Sequence, residues 1–185
     1  MKLLKECLYL HSIPRWGIID VSRPQNVAEH TYRTMAIAKH LVERIYRKDD
    51  DQKKNLTVIW QYLFYHDLPE VLTGDIPSTI KDECFKPCPK ELQEDDWHEY
   101  RYLCKYLSKT RLNELICKLA DLSEAAVYLS RYGIGSKSIK AIRYLKDKIM
   151  KLEKEFELLS KERNDINTFI NLPGLTMSIL DMWSI

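Results

Sequence analysis

Apolar residues return at steps of three and four along most of this chain, with no alternating runs of the strand kind, so the fold it can form must bury helices against helices. The pattern is clearest from Arg111 to Tyr132, where Leu112, Leu115, Ile116, Leu119, Leu122, Ala126 and Leu129 share one face, Thr110 stands as N-cap and Gly133 and Gly135 end the helix. Met35, Ala38, Val42 and Ile45 repeat it in a helix expected from Ala28 to Tyr46. Leu3, Leu4, Cys7, Leu8 and Leu10 predict a short first helix, Leu56 to His66 a strongly apolar third, Glu91 to Leu107 a further one, and Lys137 to Arg163 a last long one capped by Ser136. The run Arg47 to Lys54 reads as a solvated link, and the charges from Lys151 to Glu157 as i,i+4 pairs along the outer face of the last helix. The reading is all-α, a helical bundle in one domain spanning 1–185, long enough to bury a sizeable core.

Charge and cysteine usage exclude several classes. A formal net charge of +2 with no basic half argues against a nucleic-acid polymer as partner, while leaving a small phosphorylated ligand open. The cysteines at 7, 84, 88, 104 and 117 are odd in number and irregularly spaced, which points to free thiols and a cytoplasmic setting; Cys84 and Cys88 lack the second pair a zinc clip needs. Lys5 and Glu6 interrupt the first apolar run, unlike a signal peptide, and no stretch approaches 18 uninterrupted apolar residues, so no membrane partner is expected.

The chemistry concentrates in Tyr65-His66-Asp67-Leu68-Pro69-Glu70, followed by Thr73-Gly74-Asp75-Ile76-Pro77. A histidine beside an aspartate at a helix end offers a neutral nitrogen and an anionic oxygen, donors suited to Zn, Mn, Co or Fe(II). Glu70 lies one turn beyond His66 if the helix continues through Pro69, and the segment from Gly74 to Pro89 reads as a loop able to act as a lid. Asp121 falls beside the apolar face of its helix; since a buried carboxylate is costly unless paired or metal-bound, it is either at the edge of that face or a ligand. His30 opens its helix in Asn26-Val27-Ala28-Glu29-His30, which completes the order His30, His66-Asp67, Asp121 on separate helices.

That order, H…HD…D, resembles the signature of the HD-domain phosphohydrolases. With Arg15-Trp16, Asn26 to His30, Tyr65 to Pro77 and Lys118-Leu119-Ala120-Asp121, the chain from Arg15 to Leu129 is similar to bacterial 5′-deoxynucleotidases of the YfbR type, and its Arg-Trp-Gly-Ile run also resembles phage dATP triphosphohydrolases. The C-terminal third departs from the nucleotidase pattern.

The resemblance implies one divalent transition metal (Co, Mn, Zn or Fe) held by His30, His66, Asp67 and Asp121, with Glu29 and backbone carbonyls behind the histidines. It implies hydrolysis at the 5′ phosphate of a small deoxynucleotide by an activated water, with Glu70 moving the proton and Asp67 acting at the metal. Asp75 would read the 3′-hydroxyl, Arg15 the phosphate, Trp16 and Ile18 the base, with Lys81 and Arg23 as further phosphate contacts. Three readings follow: a monophosphate 5′-deoxynucleotidase first, a dNTP triphosphohydrolase second, and a nucleotide sensor without turnover third. A homodimer or higher homo-oligomer is implied, with the apolar tail from Leu172 to Ile185 as one candidate contact.

Overall fold

The computed structural model describes residues 2–75, 110–161, 166, 174 and 176. Among these, α1 is Lys2–Tyr9, followed by a 3₁₀ turn at Leu10–Ser12; α2 is Val27–Ile45, α3 Asp49–Tyr65, α4 Glu70–Thr73, α5 Arg111–Tyr132 and α6 Gly135–Ser160. No strand occurs among the described residues, where the β-type pairing consists of isolated bridges, so the all-α expectation is met.

Helix α5 is the axis of the bundle, packed against α2, α3 and α6. The core joins Ala38, Leu41, Val42 and Ile45 of α2, Ile59 and Leu63 of α3, Leu112 to Leu129 of α5, and Leu145, Ile149 and Phe156 of α6. A buried polar chain crosses it: Tyr46 Oη donates to Asn113 Oδ1 (2.9 Å) and Asn113 Nδ2 donates to Asn55 Oδ1 (2.9 Å). These bonds tie α2, α3 and α5 into one register, because a buried polar group without a partner costs about 1–3 kcal/mol.

Three local readings are corrected. The charged run at 47–54 is mostly helix, since α3 begins at Asp49 with Asp49, Asp50 and Asp51 in its first turn, where negative charge complements the unpaired N–H groups. Gln52 Nε2 then closes the corner by donating to the end carbonyls of α2 at Tyr46 (2.9 Å) and Glu43 (3.2 Å). Ser136 lies inside α6, which starts at Gly135 with Ile134 in the cap position, whereas Thr110 does hold the N-cap position of α5, without a capping side-chain bond. Glu155 also reaches beyond its own helix, accepting from Arg111 Nε (2.7 Å) and Nη2 (2.9 Å), which pins α5 to α6.

Gly133, between α5 and α6, is required for close approach. A Cβ there would lie 2.6 Å from both Leu129 O and Ser138 Cβ. Gly133→Ala is expected to destabilise the protein by about 1–3 kcal/mol, the usual cost of overpacking, read as a lowered urea midpoint. Unchanged stability would show that this corner repacks freely.

Two features carry the bundle to its chemistry. The segment from Ile13 to Val27 is closed at its base by Arg15 N to Gln25 O (2.9 Å) and Val27 N to Ile13 O (3.0 Å), and strapped to the α5–α6 corner by Ser22 N to Tyr132 O (2.8 Å) and Ile134 N to Asp20 O (2.8 Å). A second small core of Leu10, Ile13, Val27 and Leu68 fastens the turn after α3 to the start of α2. The expected helix at 91–107, the lid, Lys81, Cys84, Cys88, Cys104 and most of the tail lie outside the described residues.

Candidate metal centre

His30 enters from the first turns of α2, a helix whose start is set by Asn26 Oδ1 accepting from Glu29 N (2.8 Å). His66 is the C-cap residue of α3 and Asp67 follows it. The helix does not run on to Glu70: residues 66–69 form turns, with Leu68 N on Tyr65 O (3.0 Å) and Glu70 N on Asp67 O (2.9 Å), before α4 begins at Glu70. Asp121 comes from the middle of α5.

These side chains converge. Donor atoms of His30, His66 and Asp121 lie within 4.8 Å of one another. His30 Nε2 is 3.0 Å from Asp121 Oδ1 and 3.5 Å from Asp67 Oδ2, and His66 Nε2 is 3.2 Å from the same Asp67 oxygen. The side chains of His30, His66 and Asp67 are 0%, 9% and 15% exposed, whereas that of Asp121 is 41% exposed and marks the open side. Asp121 is therefore at once at the edge of the apolar face and among the donors.

The donor set suits a divalent cation. Both Nε2 atoms are buried without a well-aligned hydrogen bond. Nδ1 of His66 donates to Leu63 O (2.6 Å) and Nδ1 of His30 to Glu124 Oε2 (2.6 Å), because neither a carbonyl nor a carboxylate oxygen can donate. Each Nε2 is thus turned toward the carboxylates. Separations of 3.0–3.5 Å match the edge of a tetrahedron with metal bonds of about 2 Å, about 3.3 Å, or that of an octahedron, about 3.0 Å.

The electrostatics agree. Burial and Arg15 work against charge on His30, yet Asp121 and Glu124 outweigh them and push its pKa up to about 9. Burial also opposes charge on Asp67 and Asp121, but His66 and His30 hold Asp67, and His30 above all holds Asp121, below the ordinary carboxylate range. Such a pocket favours positive charge between the donors, whether a proton or a metal ion.

Around the cluster, the Arg15 side chain is 11% exposed and balanced by acids: Nη1 is 3.5 Å from Glu124 Oε2 and Nε 3.9 Å from Asp75 Oδ2. Its Nε and Nη1 make no well-aligned hydrogen bond among the described residues, which leaves this fork able to meet an anion. Trp16 has left-handed backbone (φ 67°), costly for a residue with a side chain, and its N–H turns inward to donate to Asp75 Oδ2 (3.0 Å). Its indole Nε1 donates to Gln25 Oε1 (2.8 Å), and its ring lies parallel to Tyr128 at 5.9 Å and under the Arg15 guanidinium at 5.0 Å. Glu70 is buried at 4% exposure.

Other expected residues stand apart. Ile18 is 53% exposed, and Arg23 is a surface residue paired with Glu29 (2.8 Å) and lying over Tyr132. That pairing also corrects the expected partner of His30: Glu29 faces Arg23, while Glu124, one turn beyond Asp121, reaches the imidazole. Glu124 had a legible signal, an acid in the apolar run Leu122-Ser123-Glu124-Ala125-Ala126, and the cost argument applied to Asp121 applies to it with more force. Gln25 carried no signal in the sequence.

The chain is similar to several known proteins. A dATP triphosphohydrolase of Acinetobacter phage SH-Ab 15497 is 29% identical over 139 residues, covering 70% of this chain and 68% of that protein. A 5′-deoxynucleotidase of Pectobacterium atrosepticum is 25% identical over 189 residues, 92% of this chain and 89% of its own. The fold is similar to that of the cyanophage S-2L HD phosphohydrolase, solved with dA and one catalytic Zn2+ ion, at a TM-score of 0.59 and 19% identity, covering 96% of this chain and 91% of that one. The family model for YfbR-like 5′-deoxynucleotidases matches residues 2–121, the stretch that holds α1 to α4 and all four converging donors, and the chain belongs to that family of phosphohydrolases.

Proposed function

We propose that this protein is a 5′-deoxynucleotidase that hydrolyses 2′-deoxynucleoside monophosphates to deoxynucleoside and phosphate, with one divalent transition cation held by His30, His66, Asp67 and Asp121. The observation that carries the reading is the chain of close approaches that joins those four side chains, Asp121 to His30 to Asp67 to His66 at 3.0, 3.5 and 3.2 Å, with both Nε2 atoms buried, in a chain of this family. When bound, such a cation polarises a phosphoryl oxygen and lowers the pKa of water toward about 7. Zn is one of four candidates with Co, Mn and Fe, and the zinc in the cyanophage enzyme's structure supports it.

The chain's own groups supply the remaining steps. Arg15 presents its planar fork to the phosphate, held in place by Asp75 and Glu124, which balance its charge. Glu70, shielded from solvent, takes a proton from the attacking water and returns it to O5′ of the leaving deoxynucleoside as the P–O5′ bond breaks. Asp75 spends Oδ2 on Trp16 N–H and has Oδ1 for the sugar 3′-hydroxyl. The ring of Trp16 offers an apolar surface against which the base would lie, Ile18 and Arg23 would join the site only if substrate draws them in, and Lys81, outside the described residues, is a further candidate phosphate contact.

The similarity to the Acinetobacter phage enzyme favours a second reading, hydrolysis of dATP with release of triphosphate. Metal-loaded protein is incubated with dNMPs, NMPs and dNTPs, and the phosphorus product identified. Orthophosphate from dNMPs, with little from NMPs, is the expected result; triphosphate from dATP alone selects the second reading. Binding without any product overturns both.

A further inference from the structure

Three features lie beyond the donors themselves among the described residues. A cavity of about 440 Å³ beside α6 is lined by Ile139, Ile142, Arg143 and Met150, and Leu4 and Leu8 leave an apolar face on α1, but nothing shows what would cover either. The third is a line of buried polar groups behind the candidate metal centre, Gln25 and Glu124 leading to His30.

The geometry points to Glu124 and Gln25 as positioning residues that set which nitrogen of His30 faces the cation, in a hydrogen-bond chain whose direction is dictated by the indole of Trp16. This rests on reading the cluster as a cation site. An indole N–H can only donate, so Gln25 must turn Oε1 toward Trp16 Nε1 (2.8 Å). The amide nitrogen of Gln25 then faces Glu124 and donates to Oε1 (2.8 Å). A carboxylate only accepts, so His30 Nδ1 must carry the proton shared with Glu124 Oε2 at 2.6 Å, which leaves the Nε2 lone pair for the metal.

Glu124 is not replaceable by its isostere. Both oxygens of Glu124 face donors: Gln25 Nε2 and Arg33 Nη1 (3.4 Å) at Oε1, His30 Nδ1 and Arg15 Nη1 (3.5 Å) at Oε2. An amide at position 124 would set its own N–H group against one of those donors. Since Glu124 is 1% and Gln25 2% exposed, water cannot relieve the mismatch. The chain also spans distant parts of the sequence, from the loop at 16 and 25 to α2 and α5, so the turn that carries Trp16 and the ligand His30 share one orientation.

Zn2+ affinity is measured by competition with a chromophoric chelator on the full chain, beside the thermal midpoint of the metal-free protein and the visible bands of the Co2+-loaded form. Wild type binds one ion per chain. Glu124→Gln weakens Zn2+ binding by about 10–100-fold, the usual effect of losing a group that orients a histidine ligand, and alters the Co2+ bands. Gln25→Leu, which keeps Glu124 but removes its fixed donor, weakens binding about tenfold, at the low end of that range, and stands as the second arm should Glu124→Gln fail to fold. Wild-type affinity in a folded Glu124→Gln or Gln25→Leu protein overturns the inference. Failure of the wild-type protein to bind any ion overturns the cation site instead, so the two failures are distinguishable.

Discussion

His66→Ala is expected to lose the cation and to lower kcat/KM by about 10³-fold or more, since a metal's stabilisation of phosphoryl charge amounts to several kcal/mol and each 1.36 kcal/mol is tenfold. His66 has one fixed orientation, Nδ1 on Leu63 O at 2.6 Å, so its Nε2 cannot be replaced by a neighbour's swing. Its loss leaves Asp67 Oδ2 without the nitrogen 3.2 Å away and reduces the donor set to one imidazole and two carboxylates. The fold should survive, because His66 sits at the end of α3 and the local packing is carried by Leu63 and Leu68, both fully buried. Metal content and steady-state turnover on the same preparation check this, with far-UV circular dichroism as the folding control. Full metal content with wild-type turnover would remove His66 from the site.

Glu70→Gln separates binding from chemistry. The variant is expected to keep its cation and to lose about 10²–10⁴-fold in kcat, the usual contribution of a placed acid or base. Glu70 opens α4, with its N–H on Asp67 O at 2.9 Å, so it is tied by backbone to one of the four proposed donors. Glutamine preserves that backbone and much of the packing of a side chain only 4% exposed, while removing the group able to carry the proton. Retention of both metal content and turnover would exclude the proton-transfer role. Loss of metal together with activity would instead make Glu70 part of the support of the cluster.

Much of the architecture was legible in local pattern. The face running from Leu112 to Leu129 predicted α5 with its bounds, and the steps from Met35 to Ile45 predicted α2 to within a residue at either end. Those elements are long and amphipathic, so periodicity alone is decisive. The start of α3 was hidden because its first turns carry no apolar pattern; Asp49 to Asp51 are there for the helix end, not for the core. Ser136 misled for a related reason, since a serine signals a cap only if the backbone actually turns there, and the corner is set by the contact of Gly133 with Ser138.

At the site, the sequence alone determined the helical class and the inventory of donors, because helix faces and an ordered set of His and Asp residues are properties of spacing along one chain. The packing of α2, α3 and α5 determined what those donors do together. It brought His30, Asp67 and Asp121 into reach of one another and exchanged Glu29 for Glu124 as the partner of His30. Residues 30 and 124 meet across 94 positions of chain, and which of two neighbouring acids points inward depends on the rotation of whole helices about their axes, a quantity fixed by the sum of core contacts rather than by any local motif.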